Sequence, residues 1–147
     1  MENMEWKKED YLISEDKSKI DLDVVHGCLS QSYWAEGIPK ETVKRSIENS
    51  ICFGIYKHNK QIGFARVISD LATFAYLADV FVLEEERGKD LSKWLMKIII
   101  DHPQLQGLRR FTLATRDAHG LYEQFGFKLF ARPDRWMERH NPDVYKK

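Results

Sequence analysis

Cysteine is scarce in this 147-residue chain, and the two that occur, Cys28 and Cys52, stand apart from each other and from any group of histidines. Neither a disulfide framework nor a zinc-ligand spacing can be read from them, so both are expected to be reduced and packed, with no metal site. Net charge is absent too, because 23 basic and 23 acidic side chains cancel. That excludes the broad positive field that holds nucleic acid or an anionic membrane without specificity. No run approaches the roughly 20 apolar residues of a membrane span. Residues 1–10 are too charged for a secretory signal, so a cytoplasmic location is the expectation. Repeats, low-complexity tracts and Gly/Ser/Pro-rich linkers are missing, which predicts a single domain over residues 1–147. No Gly-x-x-x-x-Gly-Lys-Ser/Thr loop occurs, which argues against a nucleotide-binding domain of that type.

What is present is an ordinary globular mixture, 43% hydrophobic and 31% charged, enough to enclose one core. Periodicity predicts a short first strand at Tyr11, Leu12 and Ile13, then helices over residues 21–30 and 40–49, with Pro39 suited to the first turn of the second. Residues 51–56 and 61–68 read as a hairpin around a polar turn. Residues 74–83 read as a strand whose two faces are apolar apart from Asp79, hence central and buried. After a charged turn, Leu91, Trp94, Leu95, Ile98 and Ile99 mark one face of a helix that stops before Pro103. Residues 111–114 read as a short strand, and Ala118, Leu121, Tyr122 and Phe125 mark a last helix that Gly126 ends. Residues 127–130 and 136–138 are expected to close the sheet as a final pair.

A helix that starts directly after a buried strand gathers unpaired backbone N–H groups at one point, and such a point binds anions. Gly88 lets the backbone approach a phosphate, and Arg87 and Lys89 stand beside it as cations. Taken alone, a glycine in a charged turn is plain turn chemistry. The later run Leu121-Tyr122-Glu123-Gln124-Phe125-Gly126-Phe127 changes the weighting. Together these two stretches resemble the GNAT superfamily, whose pyrophosphate loop reads Gln/Arg-x-x-Gly-x-Gly/Ala and whose late helix reads Leu-Tyr-x-x-x-Gly-Phe. The resemblance covers about residues 24–137. It implies an α/β fold: a mixed, mostly antiparallel sheet of six to seven strands flanked by about four helices, with the fourth and fifth strands splayed.

The resemblance also implies a function, acetyl-CoA-dependent N-acetyl transfer to a primary amine by direct attack on the thioester. Phe81, Val82 and Leu83 would then lie along the pantetheine arm. Arg87, Gly88, Lys89, Asp90, Leu91 and Ser92 would meet the pyrophosphate, and Thr115 stands where the family often has an Asn that holds the arm. Two positions depart from the loop pattern: Glu85 replaces its first Gln or Arg, and Asp90 its second Gly or Ala. A carboxylate about 4 Å from a phosphate charge costs on the order of 4 kcal/mol at an effective dielectric near 20. Asp90 is therefore expected to turn away and cap the helix that begins at Leu91.

Tyr122 stands at the family's tyrosine beside the coenzyme sulfur and is the expected general acid; the other reading is a core tyrosine on an apolar stripe. Asp79 has two roles open to it. It takes the proton of the incoming amine or holds its ammonium, or else it makes a salt bridge to Arg66, Arg110 or Arg116. Asp117 is the expected cap of the last helix, and His119 a surface residue. Tyr33 and Trp34 are candidate walls of the acceptor pocket, or packing residues, and Glu36 would favour a cationic acceptor. The expected partners are acetyl-CoA and an amine-bearing acceptor, with neither nucleic acid nor membrane; a homodimer stays open. The rival reading is a non-catalytic acyl-CoA-binding or regulatory domain of the same fold, motivated by Glu85 and Asp90.

Overall fold

The computed structural model describes residues 3–146. It opens with a strand that the sequence reading lacks, β1 (Glu5–Lys8), paired antiparallel with β2 (Tyr11–Ser14). Only Trp6 in β1 is apolar, so no alternation announces it, and tertiary contacts hold it instead. Trp6 packs near Phe53 and His102, and Glu5 accepts a hydrogen bond from Ser14. His102 is itself buried. Its Nδ1 accepts the Gln104 N–H, which leaves Nε2 to donate to Glu15 at 2.8 Å.

Helix α1 (Leu22–Ser30) is capped by Asp21, whose side chain takes the N–H groups of Asp23 and Val24. Helix α2 (Lys40–Glu48) follows Pro39, which sits at the cap position one residue ahead of the first turn. Strands β3 (Ile51–Lys57) and β4 (Lys60–Ser69) form the expected hairpin. Its turn is only His58-Asn59, and both residues have positive φ, as a two-residue hairpin turn requires. Strand β5 (Phe74–Val82), helix α3 (Leu91–Ile100), strand β6 (Arg110–Leu113) and the short helix α4 (His119–Glu123) complete the order.

The six strands lie in chain order, antiparallel except for the β5–β6 pair. Alternation along β3 and β4 sends neighbouring side chains to opposite faces. Cys52 and Phe64 join Val25, Leu29, Val43 and Ile47 under α1 and α2. Phe53, Ala65 and Val67 join Leu91, Leu95, Met96 and Ile99 under α3. Both cysteines are free, and burial pushes the Cys52 thiol up to about 11. No helix among the described residues is long and apolar enough to cross a membrane.

Two features of β5 position everything that follows. Against β4, Phe64 pairs with Phe81 but Arg66 pairs with Ala78, so residues 79 and 80 oppose Ala65 alone, a β-bulge. Asp79 adopts the left-handed conformation there, with φ of 57°. Against β6, only Phe74 to Leu77 are paired. From residue 78 onward they are unpaired; without β1, which the sequence reading lacks, these are the fourth and fifth strands for which a splay is expected. The expected final pair is not formed: residues 127–130 and 136–138 are irregular, and a single turn at Pro133–Arg135 lies between them. Neither segment pairs with β6 or with the other among the described residues.

Candidate active site

The parting of β5 from β6 leaves the backbone of residues 78–82 unpaired on one side, and this free edge leads into the turn before α3. Gly88 takes φ of +79° and Asp90 φ of 59°, so the chain curls back on itself twice within three residues. As a result six consecutive backbone N–H groups, residues 88–93, find no acceptor among the described residues. Successive N–H groups in such a curl, at the positive end of a helix dipole, form an anion-binding concavity. A small pocket of about 270 Å³ opens there, lined by Val82, Arg87, Gly88, Leu91 and Ser92 among others. Nothing lies within 4 Å of where a Cβ on Gly88 would stand, so a diphosphate has room to approach.

The charged side chains around this pocket differ from expectation. Lys89 is not a free cation: its Nζ binds Glu86 at 2.9 Å and the Tyr11 hydroxyl at 3.3 Å. Glu86 also accepts from Tyr11 at 2.6 Å. These hydrogen bonds, with Lys57 nearby, hold the Glu86 carboxyl down at about 2, so it is ionised at neutral pH and fastens the turn to β2. Lys93, one helical turn further on, lines the pocket in place of Lys89. Arg87 donates its Nε–H to the Val82 carbonyl at 3.1 Å, which draws the guanidinium back to the end of β5. Phe81 and Leu83 are half-buried on either side of Val82.

Asp90 does not cap α3. It stands at the N-cap position without a side-chain hydrogen bond, and its carboxylate is 76% exposed, 3.8 Å from Lys93. Asp90 stays in the lining of the pocket, with the backbone there in the left-handed conformation at φ of 59°. The left-handed region suits glycine and costs other residues roughly 1 kcal/mol. Asp90→Gly is therefore expected to stabilise the fold by about 1 kcal/mol in chemical denaturation and to tighten acetyl-CoA binding about 10-fold by calorimetry. Asp90→Ala removes the same charge but keeps the strain, so its affinity gain should come with lower stability. Equal or weaker coenzyme affinity in the glycine variant would show that Asp90 does not repel the ligand. Glu85 is exposed beside the same turn.

Across the splay the structure joins residues from distant parts of the sequence. Asp79 accepts from Arg66 Nε at 2.9 Å and from Trp34 Nε1 at 2.8 Å. Of the two roles open to it, the salt bridge to Arg66 is thus formed, and Arg66 is further fixed by Ser50. The same loop between α1 and α2 supplies Tyr33, whose hydroxyl accepts the Arg116 N–H at 3.2 Å and whose ring lies under the Arg116 guanidinium at 3.9 Å. Tyr33 and Trp34 meet edge to face. This loop therefore spans the mouth of the splay, pinned to β5 on one bank and to the segment after β6 on the other. Glu36 is exposed on the far part of the loop. Ala35 and Ile38 beside it are buried under the helices.

Tyr122 is buried on α4 and packs near Phe127. Burial, and to a lesser degree the Tyr33 phenol, raise it above the usual tyrosine range, so it stays protonated at neutral pH. Gly126, at φ of +89°, ends the helix as expected, with the Phe127 N–H returning to the Tyr122 carbonyl. Asp117 is not the cap: Thr115 Oγ1 takes the Ala118 N–H at 3.0 Å instead, while Asp117 is exposed near Arg116. Thr115, His119 and Tyr122 share the wall of a larger groove beyond β6. The sequence reading missed Lys93, Glu86 and Trp34's bond to Asp79. Lys93 alone carried a local signal, being one turn into a helix with an anion-binding start.

Comparisons with known proteins agree with this geometry. The chain matches the Acetyltransferase (GNAT) domain over residues 48–129. A Gibberella zeae protein assigned as an acetyltransferase is 31% identical, covering 88% of this chain and 85% of the relative. A Xanthomonas campestris structure assigned to the GNAT acetyltransferase family superposes with a TM-score of 0.91 at 51% identity, covering 93% of this chain and 97% of the other. A Clostridium acetobutylicum structure solved with acetyl-CoA shares the fold, with a TM-score of 0.64 at 13% identity over 88% of this chain and 94% of that one. A turn of unpaired amides beside a half-paired strand, in a fold shared with these proteins, leads to one assignment: the chain belongs to the GNAT acetyltransferase family.

Proposed function

We propose that this protein is an N-acetyltransferase that acetylates a primary amine with acetyl-CoA as co-substrate, by direct attack and without a covalent enzyme intermediate. The observation that carries the reading is the run of six unsatisfied N–H groups at residues 88–93, which opens off the unpaired half of β5. When bound, acetyl-CoA supplies an activated acyl group as its thioester. The amides of residues 88–93 hold the diphosphate, with Arg87 and Lys93 as side-chain cations. The free backbone edge of residues 78–82 orients the arm and offers an N–H near Val82 to the developing oxyanion.

Tyr122 then serves the leaving sulfur. A phenol at ~10 is less acidic than a thiol at ~8.5, so complete proton transfer is uphill by roughly 2 kcal/mol even before burial raises the phenol further. Its contribution is a hydrogen bond donated to the sulfur as charge develops there. Asp79 is a poor free base, because two donors already occupy its carboxylate. Its place is to receive the acceptor's ammonium at the inner end of the Tyr33–Trp34 wall, where a water can take the proton.

The test is incubation with acetyl-CoA and a panel of primary amines (polyamines, amino acids, aminoglycosides and peptides with free N-termini) while free thiol is followed. Thiol release that depends on one class of amine is expected. Tight acetyl-CoA binding with no release on any acceptor would instead favour the non-catalytic acyl-CoA-binding domain that Glu85 and Asp90 bring to mind.

A further inference from the structure

Backbone N–H groups that bond nothing do not hold their own arrangement, so the amides of residues 88–93 depend on what fixes the chain on either side of them. On the later side that is α3. On the earlier side it is a clasp of side chains. Of the run Glu84-Glu85-Glu86 only Glu86 is buried. Its Oε1 accepts from the Tyr11 hydroxyl at 2.6 Å and from Lys89 Nζ at 2.9 Å, with Lys57 Nζ 3.7 Å away. Lys89 Nζ also donates to the Tyr11 oxygen at 3.3 Å, which closes the three groups into a triangle. The Glu86–Lys89 bond spans Gly88, where positive φ turns the chain back, and the Tyr11 bond anchors that curl to β2, 75 residues earlier. Among the described residues, Tyr11 and Lys57 are the only side chains from outside the turn that bond residues 84–89. Glu86 lines the pocket of the free amides, whereas Tyr11 and Lys89 do not.

We propose that Glu86 and Tyr11 are positioning residues for the co-substrate: their clasp sets the curl at Gly88 in advance, so that the amides of residues 88–93 already converge where the diphosphate of acetyl-CoA will sit. This rests on the acetyl-CoA reading of the pocket. A turn ordered before binding adds affinity, because the ligand no longer has to order it. The expected sign runs against simple electrostatics. A carboxylate in the wall of a diphosphate pocket repels the ligand, and on that ground alone its removal would tighten binding and release two lysines toward the phosphates. The clasp itself offsets the repulsion, since Lys57 and Lys89 stand around the single carboxylate of Glu86 and leave the cluster cationic. Two acids of one pocket wall therefore act in opposite directions. Asp90 opposes the ligand, and Glu86 builds the place that receives it.

Calorimetry with acetyl-CoA on the full chain tests it. Glu86→Ala should weaken binding about 10-fold, and Tyr11→Phe, which changes no charge and lies outside the pocket wall, about 5-fold. Glu86→Gln keeps an accepting oxygen in place and should recover most of the loss, whereas a pure charge effect would make the alanine and glutamine variants alike. With an amine from the panel, Tyr11→Phe should raise the KM for acetyl-CoA and leave kcat within about twofold. Its preference for acetyl-CoA over S-acetylpantetheine, which has no diphosphate, should fall about 5-fold; a general loosening of the fold would leave that preference unchanged. A wild type that binds no acetyl-CoA overturns the reading of the pocket and this proposal with it. A wild type that binds it, beside a folded Glu86→Ala variant that binds equally or more tightly, overturns this proposal alone. Should Glu86→Ala not fold, a folded Tyr11→Phe variant with wild-type affinity does the same.

Discussion

Asp79→Ala is expected to lower the stability of the fold by about 3–5 kcal/mol, as removal of one partner from a buried ion pair does. The side chains of Arg66 and Asp79 are only 16% and 9% exposed, so the stranded guanidinium cannot recover its hydration without rearrangement. Alanine must also adopt the left-handed φ of 57°, for which it is less suited than aspartate. Urea denaturation gives the number. Arg66→Leu combined with Asp79→Asn should recover at least half of the loss, because the charge left behind is then gone while the Trp34 N–H keeps its acceptor. Kinetics separate the two roles of Asp79. As a holder of the ammonium, Asp79→Asn should raise the KM for the amine far more than it lowers kcat. A variant whose stability is unchanged within about 0.5 kcal/mol and whose turnover is abolished would make Asp79 the base instead.

Tyr122→Phe should lower kcat about 100-fold, a barrier increase of roughly 2.7 kcal/mol, and leave the KM for acetyl-CoA within about twofold of the wild type. Burial and the nearby Tyr33 phenol, with no hydrogen bond among them, set the state of this phenol, so the melting temperature should barely move. The sign of the pH effect follows from the raised pKa. The donor is present at all lower pH, and the limb that it governs falls only above the ordinary tyrosine value of ~10. Both measurements use whichever amine the panel yields. A folded variant with an unchanged rate would return Tyr122 to the core.

Local chemistry made the strand, the glycine turn and the late helix legible. The apolar run over β5, Gly88 ahead of an amphipathic helix and Gly126 after α4 each report a backbone need that no distant residue alters. β1 was hidden because Glu5, Lys7 and Lys8 give it no apolar face, and Trp6 earns its place only against Phe53 and His102, far along the chain. The left-handed turn at Asp79 was hidden too, since it depends on Arg66 and Trp34 arriving from two other elements. Asp90 misled in the opposite direction. Aspartate before a helix reads as a cap, but in the left-handed backbone of this turn its side chain makes no capping bond. At the end of the chain, aromatic and aliphatic residues over 127–130 read as a strand, but the segment pairs with neither β6 nor residues 136–138.

The loop between α1 and α2 is tied to Asp79 on one strand and to the backbone at residue 116 beyond the other. A ligand that wedges those strands apart must therefore stretch or shift the acceptor's aromatic wall, and a molecule seated against that wall resists or assists the wedge. Coupling of this kind is reciprocal: whatever factor the nucleotide end contributes to acceptor affinity, the acceptor returns to the nucleotide end.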